Sequence, residues 1–149
     1  MKKAFLVLDE NKDGFLGPLD VKRLCKRLGV RLTLNGIKDM IWEIDSDGDG
    51  FLDYGDLLDA FRRHRADVTC SEPKQLLDMI EFLMYDLRMT GSITTEEAML
   101  IVSRRFRQNC SEADIRKFFI VSRVDPKQAI SFEEFKEQLN YRRMLYEVQ

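Results

Sequence analysis

Features that most enzymes need are scarce or absent in this sequence of 149 residues. It contains one histidine, His64, which lies in the basic run 62–65, and that run is typical of a solvated helix end. No cysteine has the sequence context of an activated nucleophile, and no glycine-rich loop has the pattern of a phosphate cradle. We therefore predict that the protein is not an enzyme.

Long apolar runs and closely spaced cysteines are also absent. No apolar stretch approaches the roughly 20 residues that a membrane-spanning helix needs, and the opening segment 1–8 is too short for a signal peptide. The cysteines Cys25, Cys70 and Cys110 are odd in number and far apart, which favours a reducing cytoplasm. A formal net charge of -2 argues against nucleic acid as a partner. We expect a cytoplasmic protein without membrane insertion.

The composition is otherwise that of a globular protein, with 44% hydrophobic and 34% charged residues, and the segment 45–56 organises the chain. This segment has acidic side chains at loop positions one, three, five, nine and twelve: Asp45, Asp47, Asp49, Asp53 and Asp56. A hard divalent cation takes six to eight oxygen ligands, and the carbonyl of Phe51 at position seven adds one more. Gly50 at position six permits the sharp turn. A solvated turn is the alternative, but the register of these residues favours a cation-binding loop.

The loop recurs along the chain, starting at Asp9, Asp45, Asp86 and Arg123. Each copy lies between stretches with helical periodicity, and a single helix–loop–helix unit cannot bury its apolar face, so the units should pair. The spacing predicts an all-α fold of two lobes. We place the N-terminal pair at 1–66, a hinge at 67–73 and the C-terminal pair at 74–149. Position eight of each loop, such as Leu52, should face inward and join the paired loops by a short β bridge.

Only the first two loops have a full set of oxygen ligands. Loop one should bind through Asp9, Asn11, Asp13, the Phe15 carbonyl and Asp20. Loop three has Arg88 in a ligand position, and loop four has Arg123 and Lys127 there and lacks the turn glycine. We therefore expect the cation in the N-terminal lobe only.

Local signals place the helix ends in this lobe. Gly29 is typical of the residue that follows a helix, and Thr33 can cap the next helix. Cys25 lies at helical spacing with apolar neighbours, which predicts a place in the core.

Four such units in two pairs, covering nearly the whole chain, resemble the calmodulin-like EF-hand family, which includes calmodulin, centrin, troponin C and myosin light chains. The segments 44–51 and 130–135 carry the likeness. The resemblance implies that the two lobes clasp a helical segment of another protein. It does not extend to four calcium sites, because loops three and four have lost ligands.

The identity of the ion stays open between calcium and magnesium. Position twelve holds Asp20 in loop one and Asp56 in loop two, where calcium sites usually have a glutamate that binds with both oxygens. Aspartate is one methylene shorter, so coordination should contract towards the octahedron that magnesium prefers.

Two functional hypotheses follow from the resemblance. In the first, the protein is a light-chain-type subunit that holds an amphipathic helix of a motor, axonemal or cytoskeletal protein, which implies a cytoskeletal location with a cilium or flagellum as one candidate. In the second, it is a calcium sensor whose N-terminal lobe binds its target only when loaded. The residues proposed to line the groove for the helix could alternatively belong to the core; they are Met79, Met84, Met99, Phe118, Phe119, Phe135 and Leu139.

Overall fold

The computed structural model describes residues 1–66, 75–106 and 129–147, with side chains described as far as 104 in the second range and 140 in the third. The predicted hinge 67–73, the first half of loop four (123–128) and the proposed groove residues Phe118 and Phe119 therefore lie outside the described residues. The described elements, in chain order, are α1 Lys2–Leu8, α2 Pro18–Arg27, α3 Leu34–Trp42, α4 Tyr54–Ala66, α5 Gln75–Leu83, β1 Ser92–Ile93, α6 Thr95–Phe106, β2 Ile130–Ser131 and α7 Phe132–Glu147. The prediction of an all-α fold is confirmed.

The predicted helix ends in the N-terminal pair are confirmed. Gly29 has φ +72°, a left-handed conformation that glycine adopts without a Cβ penalty. The Val30 N–H donates to the Cys25 carbonyl at 2.9 Å and the Gly29 N–H to the Lys26 carbonyl at 3.4 Å, which is the Schellman arrangement. At the start of α3, the Thr33 hydroxyl accepts the Gly36 N–H at 3.1 Å. Gly29 at the end of α2 and Thr33 at the start of α3 thus fix the connection between the two helices.

The helix that leaves each loop begins with the same contact between a side chain and the backbone. The residue at position twelve accepts the backbone N–H of position nine, at 2.9 Å in Gly17 and Asp20, 3.3 Å in Asp53 and Asp56, 2.8 Å in Thr94 and Glu97 and 2.8 Å in Ser131 and Glu134. This contact satisfies a backbone donor that the first turn of a helix would otherwise leave unpaired. Position twelve therefore has a structural role in every loop, whether or not that loop can bind a cation.

The loops are joined in pairs as the sequence predicted. Leu16 and Leu52, both at position eight, form an antiparallel bridge with N–H to carbonyl distances of 2.8 and 3.0 Å. In the C-terminal pair, β1 and β2 are antiparallel, with Ile93 opposite Ile130. All four of these side chains are buried, so the bridges lie on the core side of the loops.

The buried side chains form one hydrophobic cluster that runs through both pairs. Cys25 is buried in this core as predicted, and burial raises the pKa of its thiol. Helix α5 is central to the cluster because it contacts α3 and α4 of the first pair and α6 and α7 of the second. Within the described residues, no helix is both long and apolar enough to cross a membrane.

Candidate metal centres

Loop two brings three carboxylates together. One oxygen from each of Asp45, Asp47 and Asp49 lies within 4.8 Å of the others, and no other group of three acidic, histidine or cysteine side chains meets this criterion in the described part of the chain. The donors are all oxygens, which is the chemistry that calcium and magnesium prefer. The first three predicted ligands of loop two are therefore placed where a single cation could contact all of them.

Backbone donors hold this cluster in position. The carboxylate of Asp45 accepts the Gly48 N–H at 2.9 Å and the Gly50 N–H at 2.7 Å. The hydrogen bond from Gly50 is the main reason that the pKa of Asp45 lies below its ordinary value. The Asp49 N–H lowers the pKa of Asp47, but the contact with Asp45, desolvation and the charge of Asp49 together outweigh it and raise that pKa. Mutual repulsion in this cluster is the electrostatic force that a divalent cation would relieve.

Loops one, two and three share a backbone conformation that aims the position-one aspartate inward. Positions four and six are left-handed in each of them, with φ values of 58° and 84° for Lys12 and Gly14, 75° and 84° for Gly48 and Gly50, and 56° and 79° for Met89 and Gly91. In each loop the N–H of position six donates to the position-one carboxylate, at 3.0, 2.7 and 2.7 Å. The third loop has therefore kept the fold of a cation-binding loop despite its changed side chains.

The remaining acidic residues of loop two do not join the cluster. Asp53 accepts the Asp56 N–H at 2.8 Å through Oδ1. Asp56 accepts the Asp53 N–H through Oδ2 and the hydroxyl of Ser46 through Oδ1. Both oxygens of Asp56 thus serve donors of the loop itself.

Loop one has a less complete set of side chains. Asp9 accepts the N–H groups of Asp13 at 3.1 Å and Gly14 at 3.0 Å, and the Asn11 amide donates to Asp13 at 2.7 Å. Asp20 is turned to the helix start, where it accepts the Gly17 N–H at 2.9 Å and contacts Arg23 at 3.0 Å. A cation in loop one would therefore contact fewer carboxylates that already lie close together than a cation in loop two.

Loop three is closed by a hydroxyl at position five. Oγ1 of Thr90 lies 2.8 Å from Oδ1 of Asp86 and 3.0 Å from the carbonyl oxygen of Ser92 at position seven. These are the position-one carboxylate and the position-seven carbonyl, which are predicted cation ligands in loops one and two. Arg88, at position three, is exposed.

Comparison with known proteins gives the same assignment as the geometry. A family model described as an EF-hand domain pair matches residues 1–62. The chain is 28% identical over 141 residues to calmodulin-like protein 2 of Arabidopsis thaliana, covering 93% of this chain and 90% of the relative. It is 26% identical over 139 residues to troponin C of Tyrophagus putrescentiae, with 93% and 90% covered. Residues 1–62 thus match an EF-hand domain pair, and most of the chain is similar to calmodulin-like protein 2 and troponin C.

A third relative is similar over a shorter part of the chain. EF-hand domain-containing protein D1 of Mus musculus is 32% identical over 91 residues, which cover 61% of this chain and 38% of that protein. This EF-hand protein is therefore similar along most of its length to proteins of the calmodulin and troponin C type.

Sequence reasoning missed two residues of these EF-hand loops. Ser46 and Thr90 bind carboxylates of their own loops, Asp56 and Asp86. The available signal for Thr90 is its place at position five of loop three, where a hydroxyl can donate to the position-one carboxylate. Ser46 lies at a non-ligand position and gave no such signal.

The residues proposed for a partner groove lie inside the core in this EF-hand protein, as far as they are described. Met79, Phe135 and Leu139 are fully buried, and Met84 and Met99 are partly buried against the same core. Met79, Phe135 and Leu139 can line a groove only in a conformation that exposes them.

Proposed function

We propose that this EF-hand protein is a light-chain-type subunit that clasps a helical segment of a larger protein, with a divalent cation in its N-terminal pair. The observation that carries the proposal is the difference between loops two and three. Loop two gathers the carboxylates of Asp45, Asp47 and Asp49 and leaves their repulsion uncompensated by any cationic side chain at a ligand position. Loop three satisfies its buried Asp86 with Thr90 and Gly91 instead.

The asymmetry supports a division of roles between the pairs. Loop three, which lies within the described residues, gathers no cluster of carboxylates and has Arg88 at a ligand position, so it gains little from a cation, and ion binding there would not drive the opening of the C-terminal pair. Contact with a partner at that pair should then persist without calcium. The family resemblance favours an amphipathic helix as that partner, and a motor, axonemal or cytoskeletal scaffold in the cytoplasm as its source.

The ion in the N-terminal pair is proposed to be calcium or magnesium, bound through the side chains and the two carbonyls predicted from the sequence in loops one and two. The aspartates at position twelve support magnesium as a competitor, because their short side chains accept backbone N–H groups at the helix starts. The family resemblance supports calcium.

A calcium sensor is the second candidate, and the burial of the proposed groove residues supports it. Met79, Phe135 and Leu139 have no exposed surface in this conformation. These residues belong to the C-terminal pair, so the described part of that pair offers no open groove to a partner in this conformation, and target binding would fall to the N-terminal pair. In that case the target would bind the N-terminal pair only after calcium loading.

A pull-down with the full chain separates the two candidates. The protein is immobilised and incubated with cytosol in chelator, in magnesium and in calcium, and bound polypeptides are identified by mass spectrometry. The light-chain proposal expects one partner with an amphipathic helix under all three conditions. Recovery in calcium alone, lost with Asp45→Ala but kept with the exposed control Asp59→Ala, would overturn it in favour of the sensor.

A further inference from the structure

Helix α5 is buried on all sides, which is unusual for a helix of only nine residues. Every residue from 76 to 83 is buried, and these include two carboxylates, Asp78 and Glu81, each 3% exposed. A helix that lies at the surface of a domain buries one stripe and exposes the other. Protein must therefore surround α5, and it is the first pair that covers part of it, through α3 and α4.

A buried polar contact fixes α5 against the first pair. His64 Nε2 on α4 lies 3.4 Å from Asp78 Oδ1 on α5, and the two side chains are 1% and 4% exposed. Removing a carboxylate and an imidazole from water is costly, so the contact favours one orientation of the two helices over others. The His64 ring also lies against Phe61, with 6.5 Å between ring centroids, which anchors the histidine to its own helix.

The two helices that receive α5 from the first pair are the two helices that flank loop two. Helix α3 enters this loop and α4 leaves it, and α5 contacts both. In sensor EF-hands, cation binding changes the angle between such helices. A third helix that packs across both of them can keep all its contacts at only one angle.

We propose that α5 is an internal ligand of the helix–loop–helix unit around loop two, and that cation binding in loop two weakens the packing of α5 against α3 and α4. The unit thus binds a helix of its own chain on the surface between α3 and α4. Because α5 also packs on α6 and α7, its release would transmit the ion signal to the C-terminal pair, whose own loops cannot receive it. This inference rests on cation binding by loop two, as proposed above, and is independent of the external partner.

Thermodynamic reciprocity determines the direction in which a substitution at this contact should change the cation affinity. If the cation weakens the packing of α5 against α3 and α4, then weakening that packing by substitution must strengthen cation binding, by at most the factor by which the cation weakens the packing. A purely structural cation, bound at the present helix angle, would give no change or a loss of affinity.

Hydrogen exchange on the unmodified protein is the first test. Amide protection of residues 76–83 is measured without cation and at saturating calcium, after calorimetry has established binding. Protection in α5 should fall on saturation, and the Asp45→Ala variant should show no such change. Binding accompanied by equal or higher protection of α5 overturns the coupling alone, whereas a failure to bind overturns the cation site as well.

Substitution of the buried contact is the second test. Asp78→Asn should raise the calcium affinity of the full chain about fivefold or more, and His64→Gln should act in the same direction. Asp59→Asn is the matched control, because Asp59 is an exposed carboxylate on α4 and should leave the affinity unchanged. Folding is checked by circular dichroism, and an unfolded variant leaves the exchange experiment to decide. An affinity that is unchanged or lower in folded Asp78→Asn overturns the proposal.

Discussion

At the scale of single residues, Asp56 is the position on which the proposed ion preference depends. Its two oxygens accept the hydroxyl of Ser46 and the backbone N–H of Asp53. It does not join the three carboxylates that are gathered in the loop. A glutamate at this position can bind calcium with both oxygens, and the shorter aspartate is held at the start of α4 instead.

We predict that Asp56→Glu shifts loop two towards calcium. The longer side chain can supply two oxygens to an ion that wants about seven, whereas magnesium keeps its octahedron and gains less. A gain of about 1.4 kcal/mol for calcium would change the calcium to magnesium affinity ratio about tenfold. The measurement is calorimetric titration of the full chain with each ion.

Asp59→Glu is the control for this substitution. Asp59 has a side chain that is 66% exposed and pairs with Arg62 on the surface of α4. The same added methylene there should leave both affinities unchanged. An unaltered ratio in Asp56→Glu would show that position twelve does not set the preference.

His64 shows where residue-level prediction failed. The basic run 62–65 was expected to be solvated, and its arginines are exposed, but His64 is 3% exposed and contacts Asp78. The pattern of charge alone could not show this, because the residue that covers His64 is distant in sequence. Loop positions were easier to predict, since their ligand spacing is set within twelve consecutive residues.

At the scale of elements, loop three keeps its shape by hydrogen bonding. The Thr90 hydroxyl lies between the Asp86 carboxylate and the Ser92 carbonyl, and Asp86 is 4% exposed. A buried carboxylate without donors is costly, so this hydroxyl should contribute to the stability of the C-terminal pair.

We predict that Thr90→Val destabilises the protein by about 1 to 3 kcal/mol, because it removes a donor from a buried charged acceptor without a large change in volume. The free energy of unfolding in urea, measured in chelator, is the appropriate quantity. Thr90→Ser is the matched control, since it keeps the hydroxyl and should retain most of the stability. A loss of stability in Thr90→Ser but not in Thr90→Val would mean that the methyl group, and not the hydrogen bond, is what matters.

The elements themselves were largely predictable, and α5 marks the limit. The end of α2 and the cap of α3 depend on residues close in sequence, such as Gly29 and Thr33, and the loop bridges follow from the repeat of position eight. Helical periodicity predicts one buried face for a helix such as α5, but Asp78 and Glu81 are buried too. Partners from several elements decide that burial, so hydrophobic periodicity alone could not show it.

At the scale of the whole molecule, the core joins the two pairs. The spacing of the four repeats predicts a division into 1–66 and 74–149, and these boundaries stay a prediction. The cluster of buried side chains extends from Ala4 to Leu139, with α5 in contact with both pairs. Shared core residues make the stability of each pair depend on the other.

We therefore predict a single cooperative unfolding transition in chelator. Leu57 in the first pair and Ile101 in the second are fully buried, and truncating either to alanine should cost about 2 to 5 kcal/mol. Because the core is continuous, Leu57→Ala and Ile101→Ala should each move the same transition. The test is the calorimetric enthalpy of unfolding, which should equal the van't Hoff enthalpy if there is a single two-state transition. Two transitions, each shifted by only one of the variants, would instead show that the pairs unfold independently and that α5 does not couple them.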